Sequence, residues 1–168
     1  VITILLSGII GSTLIDTKYL ATFPTGIMVS GVAVTAFFAS SIMSIMGRRF
    51  GFSIGAIVTT FASLLCAYSI YMQSFYLYCF ANFFIGFGMA FIHQYRFAAA
   101  EVVKKTNIPR AISFILLSSI IGAIFGVNLV NLTKDLINDY LYVGSYICLS
   151  ILTLIPCFLF IFYNNEKI

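Results

Sequence analysis

Residues 75–103 read FYLYCFANFFIGFGMAFIHQYRFAAAEVV. From Phe75 to Ile92 there is no charged side chain, and Asn82 is the one amide. A helix that crosses the hydrocarbon core of a bilayer needs about 20 such residues. The run then stops on His93, Gln94 and Arg96, groups that belong at a headgroup boundary. This is one membrane span ending at a polar rim, and the rest of the chain repeats the pattern.

Working outward, five full spans and one partial span are expected. The partial one covers Val1–Ile15, followed by Leu20–Met46, Phe50–Met72, Phe75–Tyr95, Ala111–Leu132 and Tyr140–Tyr163. The fold expected is therefore an all-α membrane protein, a bundle of six transmembrane helices. Helices are forced, because hydrocarbon offers backbone N–H and C=O groups no partner. Nothing shows the ten-residue alternation of a membrane barrel. The short connections predict that sequential helices pack as antiparallel neighbours. The longer polar connection before the fifth span ends on Pro109, a residue suited to the first turn of a helix.

Composition closes off other classes. The chain has 168 residues, 61% hydrophobic and 8% charged, with a mean hydropathy of +1.08. A soluble domain carries roughly 25% charged residues, and a core this small cannot bury so much apolar surface. The net charge of +4 comes from few groups placed at helix ends, so no nucleic-acid partner is expected. Seven of the nine basic residues (Arg48, Arg49, Arg96, Lys104, Lys105, Arg110 and Lys167) fall on one side of the expected topology, and Lys18 and Lys134 on the other. The positive-inside rule then puts the connections after spans two and four, and the C-terminal tail, in the cytoplasm. Asp16, Asp135 and Asp139 would face outward. The first apolar run is short and the chain opens on Val1, so the first span is expected to be cut at its start, in a piece of a longer protein.

No enzyme is expected. An intramembrane serine protease would need a Gly-x-Ser-Gly setting near a histidine, and the only histidine, His93, sits at the rim. Diacid and di-histidine metal sites are absent from the sequence. Cys66, Cys79, Cys148 and Cys157 lie inside apolar runs and form no CxxC pair, so they read as small apolar helix residues and neither metal nor cofactor is expected.

Small residues at i, i+4 spacing mark faces where helices approach closely in lipid. Such stripes are Gly51, Gly55, Thr59, Ser63 and Ala67 in the third span, Gly31, Thr35 and Ala39 in the second, and Ser118, Gly122 and Gly126 in the fifth. Polar groups at membrane depth are functional candidates. Asn82 shares a face with Gly86 and Ala90, while Asn128 and Asn131 lie near the far end of the fifth span. Asn82, Asn128 and Gly126 are candidates for a polar solute cavity; an interhelical hydrogen bond is the other reading of the two asparagines. At the basic rim, Gly47, Arg48, Arg49, Gln94, Arg96, Glu101 and Arg110 are candidates for a charge network that closes the inner mouth, or simply for headgroup anchors.

Two stretches carry a resemblance. Met43-Ser44-Ile45-Met46-Gly47-Arg48-Arg49-Phe50-Gly51 resembles the loop signature of the major facilitator superfamily, roughly G-x-L-A-D-R-x-G-R-R, of which Gly47-Arg48-Arg49 are matched. The aspartate of that signature falls on Ser44 and its first arginine on Ile45. Gln94-Tyr95-Arg96-Phe97-Ala98-Ala99-Ala100-Glu101-Val102-Val103, followed by Arg110-Ala111-Ile112-Ser113, is similar to a segment of one bacterial branch of that superfamily. Gly126-Val127-Asn128 resembles that branch's Gly-Pro-Asn, with Val127 in place of the proline. The resemblance implies a bacterial inner-membrane transporter of two six-helix halves working by alternating access on a small organic solute. Residues 1–168 would be the N-terminal half, with 3+3 helices, and the C-terminal six-helix half would be its partner. A six-helix solute-capture subunit working with a separate partner protein is the alternative.

Overall fold

The computed structural model describes residues 2–15, 18–137 and 140–162. Among them run α1 (Ile2–Leu14), α2 (Phe23–Met46), α3 (Arg48–Tyr71), α4 (Phe75–His93), α5 (Tyr95–Val102), α6 (Ile108–Thr133) and α7 (Val143–Phe162). Short 3-10 turns cover Lys18–Leu20 and Lys105–Asn107. No strand occurs among the described residues. Of the residues used for orientation, Asp16, Asp139 and Lys167 lie outside the described ones, as do Val1 and Tyr163.

Local chemistry sets the helix ends. Pro24 and Pro109 occupy the first turns of α2 and α6, where a missing N–H costs nothing. Ser74 caps α4 by accepting a hydrogen bond from the Leu77 N–H at 3.4 Å. Gly47 separates α2 from α3 with φ +87° and ψ 153°, a region that belongs to glycine. Its N–H still bonds the Met43 carbonyl, so the two helices meet at a one-residue hinge.

Four helical segments are long and apolar enough to cross a membrane: Phe23–Met46, Arg48–Tyr71, Phe75–Glu101 and Lys105–Thr133. Thr3–Leu14 and Val143–Phe158 are shorter apolar helices. Helix α7 itself continues to Phe162, 20 residues in all, so the expected last span is present as a helix. The boundaries also shift. Helix α6 starts at Ile108, earlier than Ala111, because Pro109 initiates it. The fourth span stops at His93 and restarts at Tyr95, because Gln94 takes a tight turn onto the Phe91 carbonyl.

The packing order bears out sequential neighbours for α3 and α4 and departs from them for α2 and α3. The main contacts are α2 with α4, α3 with α4, and α3 with α7, whereas α2 and α3 touch over only a short stretch. A short connection fixes where two helices begin, and side-chain volume decides which faces meet. Helix α4 is flanked on both sides by glycine contacts. A methyl group added to Gly86 would overlap the Met28 carbonyl oxygen, and one on Gly31 the Phe83 carbonyl oxygen. On the other flank, a methyl on Gly88 would overlap the Thr59 hydroxyl, and one on Gly55 would lie 2.7 Å from Phe91 Cβ. The α2 and α3 stripes are buried throughout. On α6 only Gly126 is buried, while Ser118 and Gly122 are exposed. The described core is accordingly α2–α3–α4–α7, joined by Leu6 and Ile10 of α1, with α6 carrying a long exposed face.

These contacts make a direct prediction. Gly86→Ala should lower stability by about 1–3 kcal/mol, because the clash is with backbone and cannot be relieved by a rotamer change. Gly122→Ala meets nothing within 4 Å and should be neutral or slightly stabilising. Thermal unfolding of the two variants in the same detergent separates these outcomes.

Candidate functional site

The structure separates the candidates into three places. The first is a buried polar cluster inside α3, α4 and α7. Asn82 is fully buried, and its Nδ2 donates to the Tyr78 carbonyl at 2.9 Å and lies 4.0 Å from Cys66 Sγ. The Tyr78 and Tyr146 hydroxyls share a hydrogen bond at 2.7 Å, with the rings edge to face. Cys66 also reaches the Tyr146 hydroxyl. Asn82 Oδ1 is buried and has no hydrogen-bond partner among the described residues. Asn82, Gly86 and Ala90 are all buried, yet they do not face one neighbour. Each i, i+4 step drifts about 40° around the axis, which turns Asn82 toward Cys66 on α3 and Gly86 toward Met28 on α2.

The second place is the exposed flank of α6. Asn128 is exposed, and its Nδ2 donates to the Ile124 carbonyl at 2.9 Å. It lies about 200° around the helix from buried Gly126, so it points away from the bundle. Asn131 is exposed too. The structure therefore does not bring Asn82 and Asn128 together.

The third place is the polar rim. Arg48, at the start of α3, grips Glu101, near the end of α5, through two parallel hydrogen bonds. Nε donates to Oε2 at 2.5 Å and Nη2 donates to Oε1. This fork-to-carboxylate match joins the α2–α3 hinge to the segment after α4 and fixes both on one end of the bundle. Ser40, Met43, Ser44, Gly47, Gln94 and the ion pair line a half-open groove of about 370 Å³. Of the seven rim candidates, Gly47, Arg48, Gln94 and Glu101 come together there. Arg96 instead turns to His93 Nδ1 at 3.3 Å. Arg110 is exposed in the first turn of α6, away from the groove. Arg49 is half-buried beside Arg48.

Sequence reasoning missed Cys66, Tyr78 and Tyr146 as a cluster. The i, i+4 pair Tyr78–Asn82 was legible. The contributions of α3 and α7 have no local signal, because a cysteine and a tyrosine in apolar runs look like filler.

The site and fold define a polytopic α-helical membrane protein with a polar rim clamped by the Arg48–Glu101 ion pair and a helix face left open. Comparison with known proteins agrees. The chain is 32% identical over 154 residues to the riboflavin transporter RfnT of Brucella anthropi, an alignment covering 92% of this chain and 39% of that protein. It is 28% identical over 135 residues to YddS of Bacillus subtilis, named an uncharacterized MFS-type transporter, covering 76% of this chain and 29% of that protein. The chain thus spans less than half the length of these curated relatives. No family model and no solved structure matches it. With the Gly47-Arg48-Arg49 loop and the Gln94–Ser113 segment, these relatives identify the chain as a member of the major facilitator superfamily.

Two outcomes follow from the geometry. Tyr146→Phe should lower stability by roughly 0.5–1.5 kcal/mol, the range of hydrogen bonds between membrane helices. Equal unfolding curves for the variant and the parent would remove the cluster's structural role. For Arg48 and Glu101 a double-mutant cycle of R48A and E101Q should give a coupling of under about 1 kcal/mol in stability, because Glu101 is largely exposed.

Proposed function

We propose that residues 1–168 form the N-terminal six-helix half, with 3+3 helices, of a secondary transporter that moves a small organic solute by alternating access. The observation that carries this reading is the similarity to a named transporter along 92% of the chain. The open face of α6 supports it. An amide facing hydrocarbon costs free energy unless it is hydrogen-bonded, and Asn128 satisfies only part of its capacity on its own helix. A C-terminal six-helix half set against α6 would turn that face toward a polar cavity. Asn128 and Gly126 then belong to the cavity-lining helix, and Asn82 acts on the cavity from behind, by holding α4 on α3. Riboflavin, the solute named for the Brucella relative, is the first substrate to test.

The rim groove supplies the second part of the mechanism. Arg48 and Glu101, positioned by the Gly47 hinge and the Gln94 turn, close one mouth in one conformation and separate in the other. An exposed bidentate pair suits this work, being specific in geometry yet cheap to break. In this reading the mouth faces the cytoplasm across a bacterial inner membrane, the side that the basic connections favour.

The test is radiolabelled riboflavin uptake by cells that express the full-length protein and lack other uptake, followed by a panel of small organic solutes. Accumulation above the empty-vector level supports the reading, and absence of transport for every solute tested argues against it. Within an active protein, Asn128→Ala should reduce transport several-fold with unchanged expression and stability. Asn82→Ala should act mainly through stability. Full transport by both variants would remove them from the mechanism.

A further inference from the structure

From the last turns of α7 we propose a hinge at Pro156, about which the end of the helix swings into a hollow against α3 and α4. The hinge stands on the geometry of α7; its use in transport rests on the alternating-access reading above. Hydrogen bonds anchor the first part of α7. Ser145 accepts from the Thr133 hydroxyl of α6 at 3.0 Å, Tyr146 pairs with Tyr78 of α4 at 2.7 Å, and Thr153 pairs with Thr60 of α3 at 2.9 Å. Among the described residues no hydrogen bond from α7 to another helix follows Thr153, and residues 154–158 read Leu-Ile-Pro-Cys-Phe. Cys157 is buried there, while Leu154, Ile155 and Phe158 are exposed. Pro156 comes three residues after the last anchor and has no N–H, so the Leu152 carbonyl lacks the donor that would close its turn. A helix bends where its hydrogen-bond ladder is interrupted, and proline is a standard cause.

The hollow lies on the face of α7 that carries the proline. Thr153 and Pro156 look across about 40 Å³ at Ala56 and Thr59 of α3 and at Phe91 and Tyr95 of α4. About 10–15 Å³ is enough for one water, and packed interiors leave few larger voids. The walls are mainly apolar, so water finds too few partners to fill the space. Three helices of this chain enclose it, so it does not depend on what covers the open face of α6. The end of the anchoring bonds, the break in the ladder and the free volume thus coincide within one turn of α7. Each alone is a packing detail. Together they let the last turns move without breaking a hydrogen bond to another helix, and they provide a place to go. In the alternating-access reading α7 is the last helix before the second half, so a swing at Pro156 passes to the connection between the halves.

The test is hydrogen–deuterium exchange of the full-length protein in lipid nanodiscs, read by mass spectrometry on peptides from residues 143–162. In the parent, amides after Pro156 should exchange faster than those between Tyr146 and Thr153. Pro156→Ala restores the missing donor and should slow exchange after position 156 by roughly three- to tenfold, the worth of one hydrogen bond. Ala56→Val fills the hollow from α3 and should slow the same amides while leaving α7 itself unaltered, so it keeps the question open to measurement if the proline variant does not fold. Both variants should lower the initial rate of uptake severalfold, for riboflavin or for the solute of the panel that the parent carries, with thermal stability equal to the parent's or higher. Equal exchange on the two sides of Pro156 in the parent, or unchanged exchange in the variants, would overturn the hinge. Slower exchange with undiminished uptake would overturn its part in transport. The expected exchange pattern in a parent that carries no solute would count against the transporter reading and uphold the hinge.

Discussion

Helix α4 can lie against α2 and α3 only because side chains are missing where they touch. Backbone meets backbone at Gly31 and Gly86 on one flank, and Gly55 and Gly88 let α3 close on the other. In a bilayer this constraint outranks hydrophobicity, since lipid tails satisfy leucine as well as a neighbouring helix does. The glycines thus choose the partners of α4. Once α4 is placed, α3 presents its far side to α7, where Thr60 and Thr153 share a hydrogen bond at 2.9 Å. The described core is built outward from those few positions.

The same constraint explains where the polar groups end up. Close packing on α4 leaves no room for solvent at Asn82, so its Nδ2 donates to a backbone carbonyl one turn away and toward the sulfur of Cys66, while Oδ1 has no partner among the described residues. Tyr78 and Tyr146 pair because two buried hydroxyls brought together across α4 and α7 each give the other an oxygen partner. Helix α6, which lacks equivalent close contacts on most of its length, keeps an exposed flank and an exposed Asn128. Rigid packing and an open face are therefore consequences of one distribution of small residues. A transporter half needs both, a body that moves as a unit and a surface that meets the solute path.

At the rim a different physics operates. Water is available there, and charges cost little. The Gly47 hinge turns the chain through a conformation that a side chain would resist, which brings Arg48 to the end of α3 facing the segment after α4. The break at Gln94 lets that segment leave the axis of α4 and deliver Glu101. Neither the hinge nor the break would matter alone; the ion pair exists because both bends occur on the same end of the bundle.

The membrane class was legible in the sequence, because hydrocarbon permits only helices for runs such as Phe75–Ile92. The superfamily was legible too, in Gly47-Arg48-Arg49 and the Gln94–Ser113 segment, and the α2 and α3 stripes announced their own burial. The pairing of Arg48 with Glu101 could be guessed only as one of several charge contacts on the same side. Which helices became neighbours was legible only in part, for α3 beside α4. Short connections argued for α2 beside α3, and the structure set α2 beside α4, because the contact is decided by volumes on two chains at once. The separation of Asn82 from Asn128 has the same origin. Periodicity places a residue on a face of its own helix, and only the packed bundle decides what that face meets.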